Sequence, residues 1–351
     1  MEVIIYFILG ISGFFFRSKL LIMCQLINIY ILIAFNNGGP DYGGYQAMYE
    51  IFSKIQGRFI SLKGGILYHT SIYYLSKIGL NLENITLILT TLTFIIGIYL
   101  VKKLQVKNLN FLISCIYFFP SIDYIIQKRN FYAMGILSLS FYKLYKNKKL
   151  EAFILLILSY YFHSSILFYF IIFGLALLDN KRIEKIIIID IVLGIFLIPI
   201  FLKYLVQYNI LSNEIIIVYF KDISNRLPLG KVAVFIIIHL VMFFIVKKVY
   251  KKIKNKKRYD IFIYKLNLTL LCIIPFYYYN ATFFRLYRNI FFLNYIFFAN
   301  YLWKKRDYTI KGILMIYILG LCCILYLFFG GLKYNGLVKP LFENNIIFNK
   351  F

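Results

Sequence analysis

Long apolar stretches alternate along the chain with short clusters of lysine, arginine, asparagine and glycine. This pattern predicts twelve helices, at about 3–16, 19–35, 84–101, 109–126, 130–146, 150–162, 165–178, 186–205, 231–247, 260–279, 283–303 and 310–330. A helix that crosses a bilayer needs about 20 apolar residues. The expected fold is therefore all-α, a polytopic integral membrane protein with about 12 transmembrane helices (10–12) in a single multi-pass domain over residues 1–351. No internal repeat is visible. The first apolar run, Val3 to Phe16, lacks a basic start and a small-residue cleavage site, and reads as a retained span rather than a signal peptide.

One stretch fits the pattern poorly. In residues 65–80, GILYHTSIYYLSKIGL, the polar positions His69, Thr70, Ser76 and Lys77 recur at helical spacing, with Leu67, Tyr68, Tyr74, Leu75 and Ile78 opposite. An amphipathic or re-entrant helix inside an outer loop spanning 36–83 is expected here, not a span. The basic residues support that choice. If 65–80 does not cross, segments 17–19, 102–108, 143–150, 179–185, 247–259 and 304–311 share one side and hold 24 Lys/Arg in 46 residues. The opposite segments hold 15 in 111 residues. By the positive-inside rule the first set is cytoplasmic, which puts both termini and a second loop, 206–230, outside. It also requires 150–178 to be a hairpin that turns at His163.

Composition narrows the function classes. With 62% hydrophobic and 15% charged residues the chain falls far below the roughly 25% charge of a soluble domain. The net charge of +26 would suggest nucleic acid in a soluble protein. In a membrane protein it marks cytoplasmic loops instead, so no nucleic-acid partner is expected. The five cysteines lie inside apolar runs and read as small buried hydrophobes. There is no Asp/Glu cluster, paired histidine or Cys–His set with metal-ligand spacing, and no phosphate-binding or dinucleotide glycine loop. No metal or cofactor is expected, and an ATP-driven pump is disfavoured.

With the cytoplasmic loops set aside, the remaining polar residues gather on the outer side. The loop NNGGPDYGGYQAMYE, residues 36–50, places Asp41 just above the membrane beside Tyr42, Tyr45 and Tyr49. Lys128 and Arg129 lie between the fourth and fifth helices, where headgroup snorkelling and ligand binding are both open to them. His163 marks the next outer turn. Arg226 lies in the 206–230 loop, and Arg285 and Arg288 follow one turn apart on one helix face. His239, within FIIIHLVMFF, reads as a packing residue, and the role of His69 stays open. Intramembrane charges are functional candidates by default. Guanidinium forks suit phosphate oxygens, and a carboxylate or imidazole nearby suits removal of a hydroxyl proton. The tyrosines suit either an interfacial belt or stacking on sugar rings.

Four motifs in order resemble the EpsG family of polysaccharide polymerases, relatives of the O-antigen and capsule polymerases. They are Gly39-Pro40-Asp41-Tyr42-Gly43-Gly44-Tyr45, the stretch IIQKRNFYAMG around Arg129, Phe162-His163-Ser164-Ser165-Ile166, and Phe284-Arg285-Leu286-Tyr287. Asn130 stands where the family usually has Gln, and Ile166 where Ala is common. The resemblance implies a metal-independent membrane glycosyltransferase related to the GT-C fold. Such an enzyme joins oligosaccharide repeat units carried on undecaprenyl pyrophosphate, at the outer face of the bacterial cytoplasmic membrane. It implies Arg129, Arg285, Arg288 and Arg226 as pyrophosphate ligands, Asp41 or His163 as base, and Tyr42 and Tyr45 against sugar or acceptor. Implied partners are the lipid-linked donor and acceptor, the bilayer, a chain-length regulator and a flippase. The competing readings are a flippase or transporter for the same lipid, and a membrane O-acyltransferase or O-antigen ligase. A flippase would line a cavity open to both sides, often with repeat symmetry, whereas the candidate residues here lie on one side.

Overall fold

In the computed structural model, residues 2–55, 65–208, 229–328 and 333–348 are described. They form two compact units, one of 1–166 with 292–351 and one of 167–291.

The first unit begins with α1 (Glu2–Phe15) and α2 (Lys19–Ala34), then α3 (Tyr42–Lys54), α4 (Ile66–Lys77) and α5 (Leu82–Lys103). Next come α6 (Leu109–Phe118), α7 (Ser121–Ile126), α8 (Lys128–Tyr145) and α9 (Lys149–Phe162). The second unit holds α10 (Phe168–Leu177), α11 (Asn180–Gln207), α12 (Leu229–Lys252), α13 (Arg258–Leu270) and α14 (Phe284–Arg288). The chain then returns to the first unit with α15 (Phe291–Lys305), α16 (Tyr308–Cys322) and α17 (Lys333–Glu343).

The all-helical class holds, but the count of twelve spans does not. Among the described residues four helices are long and apolar enough to cross a membrane: Leu82–Lys103, Leu229–Lys252, Arg258–Tyr278 and Tyr308–Tyr326. Length accounts for much of the difference. At 1.5 Å per residue, the 14 residues of α1 and the 16 of α2 reach about 21–24 Å, short of a hydrocarbon core of about 30 Å. Breaks account for more. The expected helix at 109–126 is two, because Pro120 has no N–H to give and restricts Phe119 to extended backbone, φ −161°. The expected helix at 283–303 is likewise α14 and α15, parted at Asn289–Ile290.

The third cause is polar content: Lys128, Arg129, Asn130 and Lys143 leave α8 too polar to count as a span. Helix α8 packs against both α5 and α9 and is enclosed on almost every side, from Phe131 through Leu137 to Leu144. By contrast α5 turns Ile88, Leu92, Ile95 and Ile98 outward at helical spacing, an exposed apolar face fit for lipid.

At 65–80 the helix is α4, and its buried side is Ile66, Tyr68, Ile72 and Tyr73. Tyr74 and Ile78, expected on the apolar face with Tyr68, are 55% and 72% exposed. Of the cysteines, Cys115, Cys272 and Cys322 are buried, whereas Cys24 is exposed on α2.

A tyrosine-lined basic cleft

The loop after α2 is held from below by the far end of the chain. Asn36 is fully buried, and its side-chain amide donates to the Leu341 carbonyl at 2.5 Å. The Asn37 N–H donates to the Asn344 carbonyl (2.9 Å), and Ile346 N–H returns a bond to the Phe35 carbonyl (3.0 Å). Gly38 passes so close to this segment that a Cβ would lie 2.7 Å from the Pro340 carbonyl oxygen and from Asn344 Cβ. Gly39 follows in the left-handed region, φ +94°, where glycine carries no Cβ penalty. Pro40 then leads into α3, with exposed Asp41 at its N-cap position.

The N-terminus of α8 reaches the same loop. Lys128, 4% exposed, donates from Nζ to the Asn36 carbonyl at 2.8 Å, so it is a structural tie and not a snorkelling surface charge. Burial pulls its ammonium down to about 8, with Glu83 opposing. Glu83 in turn accepts from the Asn37 side chain at 2.9 Å.

Arg129 lies between two tyrosine faces, its guanidinium carbon 5.9 Å from the Tyr45 ring centre and 5.8 Å from that of Tyr68. Such contacts hold a cation without neutralising it. Its Nε is buried and has no hydrogen-bond partner. A buried donor left so costs about 1–3 kcal/mol, which a bound anion or water removes. Tyr45 donates to the Ile126 carbonyl (3.3 Å). Burial, then the Asp41 charge, push its phenol up to about 12, and Arg129 draws it back. The Tyr45 phenol thus feels both Asp41 and Arg129. Burial also raises Tyr42, helped by Glu83.

A member of this cluster that the sequence left undecided is His69. Its ring stacks on Phe52, with centroids 4.5 Å apart and planes 15° apart, and its Nε2 is buried without a hydrogen-bond partner. Burial, then the nearby Arg129 charge, lower its pKa to about 4. The ring is therefore neutral at ordinary pH. In the unfolded chain it titrates near 6.5, so between about 6.5 and 4 the unfolded state binds more protons and stability falls with pH. A His69→Gln variant is expected to show a flatter fall in melting temperature between pH 7 and pH 5 than the parent. Identical slopes in detergent-solubilised protein would contradict that assignment.

His163 caps α9, and its Nδ1 takes two bonds from Ser165, one from the backbone N–H (3.2 Å) and one with the hydroxyl (2.8 Å). An N–H only donates, so Nδ1 accepts and the proton of the neutral ring sits on Nε2. In that tautomer Nε2 is a donor.

The second unit carries the other arginines. In α14, Arg285 is half-buried and Arg288 is 4% exposed. The helix is fixed by Tyr169, whose hydroxyl donates to the Leu286 carbonyl, and by stacking of Tyr287 on His239, 3.5 Å between centroids. His239 is fully buried, and its Nδ1 bonds the Tyr277 hydroxyl at 2.8 Å. Arg226 lies outside the described residues, as does most of the 206–230 loop.

Arg129 thus lies among Tyr45, Tyr68 and His69, Lys128 lies over the Tyr42 ring, and Asp41 is close enough to act on Tyr45. Among the described residues no group of three or more His, Cys, Asp or Glu is placed to hold a metal ion. These features define an all-helical membrane protein with a basic cleft walled by tyrosine. Residues 19–340 match the EpsG family, and the chain belongs to that family. Membership over most of the chain is consistent with a polysaccharide polymerase and with lipid-linked oligosaccharides as its substrates. No curated protein and no solved structure matches the chain.

Proposed function

We propose that this protein is the polymerase that transfers a growing glycan from undecaprenyl pyrophosphate to a hydroxyl of the next lipid-linked repeat unit. The cleft faces the outer side of the bacterial cytoplasmic membrane. A bond forms between the acceptor oxygen and the donor's anomeric carbon. The bond from that carbon to the pyrophosphate breaks, and undecaprenyl pyrophosphate leaves.

The observation that supports this reading most is Arg129, a cation with a buried Nε lacking any protein hydrogen bond, held between Tyr45 and Tyr68 beside Asp41. Negative charge grows on the departing pyrophosphate, and a preorganised guanidinium stabilises it there. Asp41 is the base for the acceptor hydroxyl, because it is an exposed carboxylate at the cleft. His163 is a donor through Nε2 and not the base, because Ser165 occupies its Nδ1. Tyr42 and Tyr45 contact sugar. In the second unit Arg285 and Arg288 serve phosphate oxygens, and Arg226 is retained as a further ligand from the sequence.

The direct test is polymer formation by purified protein from lipid-linked repeat units. In cells, loss of the gene is expected to leave single repeat units on the outer leaflet. Units trapped only on the cytoplasmic side would favour a flippase instead.

Two further outcomes are expected. Arg285→Ala should lose nearly all activity and Arg285→Lys only part, since lysine keeps the charge but not the planar fork. Equal activity of lysine and arginine forms, at equal membrane insertion, would exclude bidentate phosphate binding there. In a cysteine-free background, a single cysteine at Gly43 should react with an impermeant thiol reagent in intact cells, and one at Lys254 should not. The reverse pattern would put the cleft on the cytoplasmic side.

A further inference from the structure

At one end of the first unit, two turns bring cations together with almost no acid to match them. Segments 15–20 and 303–311 hold six Lys/Arg and a single acidic residue, Asp307. That carboxylate is already engaged. One oxygen accepts from the Ile310 N–H (3.0 Å) at the start of α16, and the other from the Tyr301 hydroxyl (2.9 Å). The turn between α1 and α2 is fixed as well, because the Asn110 side chain accepts from the Ser18 N–H (3.2 Å) and donates to the Ser18 carbonyl (3.1 Å).

Aromatic rings hold two of the cations. The Arg17 guanidinium carbon lies 4.6 Å from the Trp303 ring centre, and Lys311 Nζ lies 5.5 Å from that of Phe15. Arg17 is close enough for its charge to act on Lys311. Among the described residues neither has a carboxylate within ion-pair distance. Contacts with ring faces position a charge without cancelling it. Two like charges therefore stand near one another, and an anion between them relieves their repulsion.

Two further observations say which anion. Lys311 lies in the first turn of α16, and Tyr308–Tyr326 is long and apolar enough to cross a membrane, so the pair stands at headgroup depth. Two exposed apolar stripes also run away from it: Ile4, Ile8 and Ile11 along α1, and Leu20, Met23 and Ile27 along α2. Their spacing of three to four residues keeps each on one helix face, the kind of surface that a bilayer covers. A free phosphate would use the cations alone, whereas a phospholipid uses the cations and the stripes together.

We propose that Arg17 and Lys311 bind the phosphate of an anionic phospholipid, whose acyl chains lie along the exposed faces of α1 and α2. The headgroup must be anionic overall, because a choline headgroup carries its own cation and offsets its phosphate. This site shares no residue with the surroundings of Arg129 and does not depend on the polymerase reading.

Trp303 is the one tryptophan in the chain, so its fluorescence reports this site alone. Purified full-length protein is reconstituted in phosphatidylcholine vesicles that contain brominated phosphatidylglycerol or, at the same fraction, brominated phosphatidylcholine. Bromine quenches tryptophan on contact. Brominated phosphatidylglycerol should quench more strongly, and each cation should contribute up to about fivefold to that preference. The double variant Arg17→Ala, Lys311→Ala should be quenched alike by both lipids. Lys148→Ala, which removes a charge paired with Glu151 elsewhere, should keep the parental preference. Should the double variant fail to fold, Arg17→Gln alone should lose about fivefold. Equal quenching of the parent by the two lipids needs no variant and would overturn the proposal. So would an undiminished preference in a folded Arg17 variant, or its loss in Lys148→Ala. Relief of quenching by added glycerol phosphate would overturn it too, by showing a site for any phosphate.

Discussion

Arg129→Ala is expected to lower polymer synthesis about 100- to 1000-fold, the loss that follows removal of one preorganised donor to charge developing in a transition state. The guanidinium lies between two ring faces. Tyr45 and Tyr68 lie 5.9 and 5.8 Å from its central carbon, and its buried Nε has no protein partner. The packing of α8 against α5 and α9 does not depend on this side chain, and the variant should fold. Arg129→Lys keeps charge over the rings but loses the fork, so an intermediate rate is expected. The measurement is polymer length and initial rate with purified protein, normalised to folded protein. A folded Arg129→Ala with parental rate would remove this residue from the reaction.

Gly38→Val is expected to damage both stability and activity. Its Cβ would stand 2.7 Å from the Pro340 carbonyl oxygen, and backbone cannot step aside as a flexible side chain can. Overpacking of this kind costs about 1–3 kcal/mol. The displaced loop carries the Asn36 carbonyl that holds Lys128 and leads straight to Asp41. Gly43 is the contrasting position, because a Cβ there meets nothing within 4 Å and the residue lies within α3. Gly43→Ala should therefore raise the melting temperature, by up to about 1 kcal/mol of helix propensity. Equal thermal stability of Gly38→Val and the parent would show that the loop is not braced by 340–344.

Local signals carried much of this structure. The Gly-Gly-Pro sequence before Asp41 announced the break after α2, and most helix boundaries fall within a few residues of the apolar pattern. The sequence did not reveal what covers each apolar face. Tyr74 and Ile78 are as apolar as Tyr68 and Ile72, yet the first pair is exposed and the second buried. The polar content of α8, with Lys128, Arg129 and Lys143, already sets it apart from α5, and counting it as a span inflated the number. Pro120 was the one visible signal for the split between α6 and α7. In the site, Asp41, Tyr45 and Arg129 were legible as polar or charged residues next to apolar runs. The proximity of His69 and Tyr68 to Arg129 depends on α4 folding against neighbours distant in sequence, and no local spacing encodes that.

The bonds from Asn36 to Leu341 and from Asn345 to Ile31 join residues 305 and 314 positions apart. During synthesis at about 5–20 residues per second, the loop before α3 would wait roughly 15–60 s between its own translation and the arrival of its support. Until then Gly38 and Gly39 lack the segment of Pro340 to Asn344 that they lie against. The loop before α3 is thus made among the first parts of the chain and braced by the last, so its fixed conformation waits on the closing segment.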